Sequence, residues 1–202
     1  MYGLSYIPSL GSQKKNDSDA PSQKRTDIKG KNFEKDYTAR DLEILRRVLM
    51  EMGDRCRVIL EIGVARAKKN SSTNVILECK SPEAVYVGVD IKRKRLTGEN
   101  VHTLAIDSSE TEKVMQKIEE LTGKREIDFI HIDGWHSVNQ VVKDWKYAQY
   151  LSSRGIVFFH DTNYHPGPVE VINAIDRTEF KVKKYFVDKS DDWGVSVAWK
   201  RR

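Results

Sequence analysis

Between positions 131 and 165 stand four histidines, His131, His136, His160 and His165, and two aspartates at the ends of apolar runs, Asp133 and Asp161, side chains that bind cations or move protons. Asp133 closes one apolar run, IDFIHID (127–133), and Asp161 closes another, GIVFFHD (155–161). If these runs are neighbouring strands, the two carboxylates meet. Together with His160 they then form a donor set for a hard divalent cation such as Mg2+. A cation held there lowers the pKa of a substrate hydroxyl and fixes it for attack. His136 and His165 follow in the adjoining loops, where either can serve as general base. His131 falls inside a strand pattern and reads as a core residue. Trp135 and Trp193 either line a substrate pocket or simply pack, whereas Trp145 and Trp199 read as core.

A second group of acids lies upstream. The first apolar run, RVILEIG (57–63), carries Glu61 and ends on Gly63, a residue that lets the backbone turn tightly beside a ligand. VYVGVD (85–90) ends on Asp90 and HTLAID (102–107) on Asp107. An acid at the end of the second strand suits two hydrogen bonds from ribose hydroxyls. The alternative is that Asp90 caps the following turn. The glycine-rich fingerprint for a pyrophosphate is missing, since the turn after Gly63 reads VARAKK. This counts against NAD and FAD and leaves a nucleoside ligand without phosphates.

The elements that must position these residues are legible from periodicity. Leu42, Leu45, Val48, Leu49 and Met52 fall at helical spacing from Thr38 onward, with Gly53 as a stop. Further helices are predicted at 71–80, from a Ser109/Glu112 capping box to Leu121, from a Ser137/Gln140 capping box to Leu151, and at 168–176. Apolar strands alternating with amphipathic helices imply a parallel sheet covered on both faces. KVKKYFV (181–187) and GVSVAWK (194–200) follow one another with no helix between, which predicts a closing antiparallel hairpin. The reading is an α/β, Rossmann-like, doubly wound domain. Ligands of such sheets bind outside the carboxyl ends of the strands, where all five acids are expected to converge.

Residues 1–35 are rich in Ser, Lys, Asp, Gln and Gly and read as a flexible tail, leaving 36–202 as the domain. No apolar run approaches the roughly 20 residues needed to cross a bilayer, so no membrane partner is expected. Two cysteines without metal-site spacing read as reduced thiols of a cytoplasmic protein. The net charge of +5 and the cluster Lys92, Arg93, Lys94 and Arg95 admit a nucleic-acid partner without favouring one, because acids are nearly as numerous. A homo-oligomer is compatible with the sequence.

The segments VILEIGVA, YVGVDI, IDFIHIDGWHS and GIVFFHDTNYHPGPVEVINAID resemble class I S-adenosylmethionine-dependent methyltransferases. More narrowly, they resemble the small-molecule branch that holds the macrolide and aminocoumarin sugar O-methyltransferases and the cephalosporin hydroxylase-like proteins. The resemblance runs from about residue 40 to the end. It implies a seven-stranded sheet, mostly parallel with an antiparallel last strand, and S-adenosyl-L-methionine as cosubstrate. Glu61 and Gly63 then match the first cofactor motif, Asp90 and Ile91 the ribose end, and Asp107 and Ser108 the adenine-side loop. Asp133 matches the acid after the fourth strand, touching cofactor and metal. His160 and Asp161 stand where relatives carry paired acidic metal ligands, so His160 is a substitution. The stretch ARAKKNSS and the residue Trp135 also depart from the family pattern.

The leading expectation is therefore O-methylation of a small hydroxylated acceptor, with Asp133, His136 and Asp161 catalytic and Asp133, His160 and Asp161 holding Mg2+ if a metal takes part. Nucleic-acid methylation, a cofactor-binding protein without catalysis and a metal-dependent hydrolase are the alternatives.

Overall fold

A computed structural model describes residues 38–65, 71–186 and 193–201. The expected tail, most of the turn ARAKKNSS and the end of the 181–187 strand lie outside them.

Helix α1 (Ala39–Met52) opens on a capping box in which Thr38 and Asp41 exchange side-chain and backbone hydrogen bonds. Its apolar stripe, Ile44, Leu45, Val48, Leu49 and Met52, is buried. After a 3-10 turn come β1 (Val58–Ile62), α2 (Ser72–Cys79), β2 (Val85–Asp90) and β3 (Val101–Ala105). Then follow α3 (Thr111–Thr122), β4 (Ile127–Ile132), α4 (Val138–Trp145), a 3-10 segment (Lys146–Tyr150) and β5 (Leu151–His160). The chain closes with α5 (Pro166–Ala174), β6 (Phe180–Tyr185) and β7 (Val195–Lys200).

The seven strands form one sheet in the order β3-β2-β1-β4-β5-β7-β6. The pairings among β3, β2, β1, β4 and β5 are parallel, and β7 runs antiparallel to both β5 and β6. Alternate strand residues feed two cores. Ile59, Tyr86, Phe129 and Phe158 pack with α1 and α2. Leu60, Ile62, Ile130, Ile132 and Phe159 pack with α3, α4 and α5 on the other face. The doubly wound fold with its reversed last strand is thus as the sequence implied. Among the described residues no helix is long and apolar enough to cross a membrane.

Several local readings are corrected. The Ser109/Glu112 capping box does not form: Asp107 Oδ1 accepts from the Ser109 amide, and α3 starts two residues later with no side-chain cap. Ser137 caps α4, but Gln140 turns inward to Ser108 and Asp144 rather than back to the cap. The helix to Leu151 ends as α-helix at Trp145 and tightens to 3-10. β5 begins at Leu151, ahead of Gly155, because a register shift against β4 absorbs the polar residues between.

Candidate functional site

The carboxyl ends of β2, β1 and β4 are laced together by main-chain bonds. The Gly63 amide donates to Val89 O, just before Asp90, and the Asp133 amide donates to Ile62 O, each at 2.9 Å. Gly63 has φ +86, and a Cβ there would sit 2.0 Å from the Asp133 carbonyl oxygen. A side chain at this position would therefore push β1 and β4 apart.

Beyond β4 and β5 the expected cluster assembles. His136 Nε2 lies 3.3 Å from Asp133 Oδ1 and 3.0 Å from Asp161 Oδ2. His160 is buried, with Nδ1 3.6 Å from Asp133 Oδ1 and 3.3 Å from Asp161 Oδ2. Asp161 has φ +59, a left-handed conformation that costs energy outside glycine and recurs at functional sites. The ring of His165 stacks on His136 at 4.4 Å between centroids and on Trp193 at 5.6 Å. The start of α5 is pressed against the His136 loop: the Gly167 amide donates to His136 O, and a Cβ on Gly167 would meet that oxygen at 2.4 Å. This contact brings His165 to His136.

Charges in the cluster are mutually supporting. Burial opposes the charge on His136, but hydrogen bonds to Asp133 and Asp161 outweigh it and hold the imidazole up at about 9. Burial likewise opposes a charged His160, and Asp161, Asp133 and Asp41 raise it well above the ordinary value. Asp161 is brought down to about 2 against its own burial by the His160 charge and by hydrogen bonds from both histidines. Asp133 is held well below the carboxylate range, against burial, by hydrogen bonds from the same two rings.

The donor set suits a cation. Asp133, His160 and Asp161 offer one ligand atom each within 4.8 Å of one another, and so do His136, Asp161 and His165. Asp41, which the sequence did not mark as functional, belongs here too: its Oδ2 lies 3.4 Å from His160 Nε2. Its only signal in the sequence was a place three residues after Thr38, which fits a helix start.

The cofactor-side expectations divide. Asp90 stands at the end of β2, with Oδ1 accepting from the Lys92 amide at 2.7 Å and Oδ2 ion-paired to Lys94 Nζ at 3.0 Å. The Lys94 ammonium also donates to Val64 O. Ile91 is exposed beside it. Glu61 does not join the rim. Its carboxylate is fully buried on the α2 side, accepting from Ser72, Thr73 and Tyr86, with His131 Nδ1 at 3.5 Å. Asp107 is exposed beyond β3, where its carboxylate accepts from the Ser109 amide and its pKa is lowered by Ser109 and by Lys143 and Gln140 of α4. Ser108 turns inward, its hydroxyl donating to Asp144 at 2.6 Å. Of the five acids, Asp133 and Asp161 meet across the two histidines, Asp90 and Asp107 hold neighbouring strand ends, and Glu61 is withdrawn from the rim. Trp135 is 64% exposed on the cluster's loop, while Trp193 is buried against His165.

Residues 60–162, just over half of the chain, match the family model described as a methyltransferase domain. The chain belongs to the methyltransferase domain family. This agrees with the class I resemblance drawn from the sequence, and solved structures share the fold. MycE methyltransferase from the mycinamycin biosynthetic pathway, in complex with Mg, SAH and mycinamycin VI, aligns with TM-score 0.60 and 16% identity over 79% of this chain and 49% of that one. An rRNA methylase from Streptococcus thermophilus aligns with TM-score 0.59 and 10% identity, over 80% of this chain and 97% of that one. SMU.1697c from Streptococcus mutans, in complex with SAH, aligns with TM-score 0.54 and 11% identity over the same shares. The chain spans about half the length of MycE. No curated protein sequence matches it.

Proposed function

We propose that this methyltransferase domain transfers a methyl group from S-adenosyl-L-methionine to a hydroxyl of a small acceptor. The observation that carries the reading is His136 held between Asp133 and Asp161 at the same sheet edge as Asp90. Asp90 binds the ribose hydroxyls in exchange for Lys94, and Gly63 keeps the turn after β1 low enough for the nucleoside to lie over it. Ile91 and the Asp107–Ser108 loop border the adenine. The sulfonium carries its own leaving group, so alignment of the acceptor oxygen does much of the catalytic work. His136 takes the acceptor's proton in its neutral form, after losing to solvent the proton that Asp133 and Asp161 hold on Nε2 up to about pH 9, while the two carboxylates keep the ring in place. A divalent cation bound by Asp133, His160 and Asp161 supplies Lewis acidity toward the same hydroxyl. Exposed Trp135 offers a flat apolar face for a sugar or ring-bearing acceptor.

The test is calorimetric titration of the full chain with S-adenosylmethionine and S-adenosylhomocysteine, for wild type and Asp90→Ala, followed by radiolabelled methyl transfer to hydroxylated acceptors. Saturable binding that fails in the variant supports the reading; no binding by folded wild type removes it.

A nucleic-acid acceptor is the second reading, favoured by exposed Lys92, Arg93 and Arg95 beside Asp90 and by a fold shared with an rRNA methylase. It predicts RNA binding that weakens steeply with salt. Lys94, the fourth cation of that cluster, is turned inward to Asp90, which leaves a small basic patch.

A further inference from the structure

We propose that the ion of this site is a first-row transition metal such as Mn2+, Fe2+, Co2+ or Zn2+, bound through His160 Nδ1, Asp133 and Asp161 with His136 beside them, and that Asp41 is the residue that positions His160. The inference rests on the metal-assisted reading above and specifies it.

Three observations carry it. The first is the donor chemistry. Mg2+ takes oxygen ligands and demands near-octahedral geometry, whereas imidazole suits manganese through zinc. Here imidazole nitrogens stand beside both carboxylates, and the other donor triad is two histidines and one aspartate.

The second is spacing. Ligands about 2.1 Å from a shared ion stand roughly 3–3.5 Å from one another. His160 Nδ1 lies 3.3 Å from Asp161 Oδ2 and 3.6 Å from Asp133 Oδ1, and His136 Nε2 lies 3.0 and 3.3 Å from the same two oxygens. Asp133, His160 and Asp161 thus have ligand atoms close enough to share one ion, and His136 stands against both carboxylates.

The third is the far side of His160. A metal-bound imidazole usually gives its other N–H to a carboxylate, which sets the tautomer and aims the ring. His160 Nε2 faces Asp41 Oδ2 at 3.4 Å, with Asp41 fully buried. Asp41 Oδ2 also accepts from the Thr38 amide at 3.1 Å, so the first turn of α1 fixes its direction. An acid in the first turn of a helix needs no burial to serve as a cap. One placed at the back of a buried histidine, whose front nitrogen meets two more carboxylates, has the arrangement of an outer-shell partner.

The test uses the full chain, stripped with a chelator and reloaded with Mn2+ alone. Pulsed electron paramagnetic resonance should show 14N coupling from imidazole, and His160→Glu should remove the His160 contribution. By calorimetry, His160→Glu should lower the Zn2+-to-Mg2+ affinity ratio at least tenfold. Asp41→Asn should keep the nitrogen coupling and weaken Mn2+ by about 10- to 100-fold. Bound Mn2+ without nitrogen coupling, an unchanged ratio in His160→Glu, or no ion taken up by folded wild type would overturn the proposal. S-adenosylhomocysteine titrated into the same preparation separates the two readings. If it binds while no nitrogen ligates, only the metal inference fails; nitrogen-ligated Mn2+ without nucleoside binding removes the methyl-transfer reading instead.

Discussion

Asp41 and His160 stand 119 positions apart in the chain, yet the imidazole Nε2 lies 3.4 Å from the Asp41 carboxylate with both side chains out of solvent. The contact ties the first turn of α1 to the end of β5. It makes one aspartate serve two purposes, as the third helical residue of the Thr38 capping box and as the rear support of the cluster.

Asp41→Ala removes both functions and leaves the buried His160 facing the gap. It should lower stability by about 3–5 kcal/mol, as loss of one partner of a buried pair does. Thr38→Ala removes the hydroxyl that caps the Asp41 amide while keeping Asp41 itself, and should cost about 1 kcal/mol. Urea unfolding of both variants checks this; equal losses would mean that the Asp41–His160 contact carries no energy of its own.

At the other end of the rim, Lys94 occupies the carboxylate proposed to hold the ribose. Both Asp90 oxygens are engaged, one by the Lys92 amide and the other by the Lys94 ammonium, whose side chain is mostly buried. Asp90→Ala should weaken S-adenosylhomocysteine binding at least about tenfold, the scale of one charge-assisted hydrogen bond. Lys94→Met removes the competitor and should tighten binding several-fold. Calorimetry decides, and a weaker Lys94→Met would assign Lys94 to holding the cofactor.

The sheet was readable because buried parallel strands are apolar throughout and end on turn residues, as VYVGVD and IDFIHID do. The meeting of Asp133 with Asp161 followed from β4 and β5 being neighbours. What sequence could not show was side-chain direction. Glu61 falls on the face of β1 that meets α2, one residue from Ile62 on the other face, so its carboxylate enters a nest of hydroxyls instead of the rim. Asp41 was hidden for another reason: its partner is non-local, and no periodicity encodes a contact between α1 and the end of β5. The capping box at Ser109 failed because Asp107 competes for the same amide.

Glu61 supplies a pH test. Burial lifts it to about 7, against the hydrogen bonds from Tyr86, Thr73 and Ser72 that lower it. The folded protein therefore keeps a proton that the unfolded chain loses near 4.5. This stabilisation is complete below the unfolded value and fades as pH rises toward 7, a change of about 3 kcal/mol. His131, which burial lowers to about 4, gives the opposite slope between there and 6.5. The difference between wild type and Glu61→Gln isolates the carboxylate, since glutamine mimics the protonated acid. The two should match within about 1 kcal/mol near pH 5, with wild type falling behind by pH 8. Parallel stability curves would show that Glu61 is ionised throughout.

Trp135 gives the sharpest handle on the acceptor. It lies between Gly134, packed beside Gly63, and His136, the proposed base, yet 64% of its surface faces solvent. A large aromatic residue left exposed beside buried charges gains little for folding, so Trp135→Ala should leave the unfolding midpoint nearly unchanged. Removing a stacking surface for the acceptor should raise KM about tenfold while S-adenosylhomocysteine affinity stays constant. A fall in kcat at unchanged KM would instead mean that the indole positions His136, and the acceptor would have to be held from the side of His165.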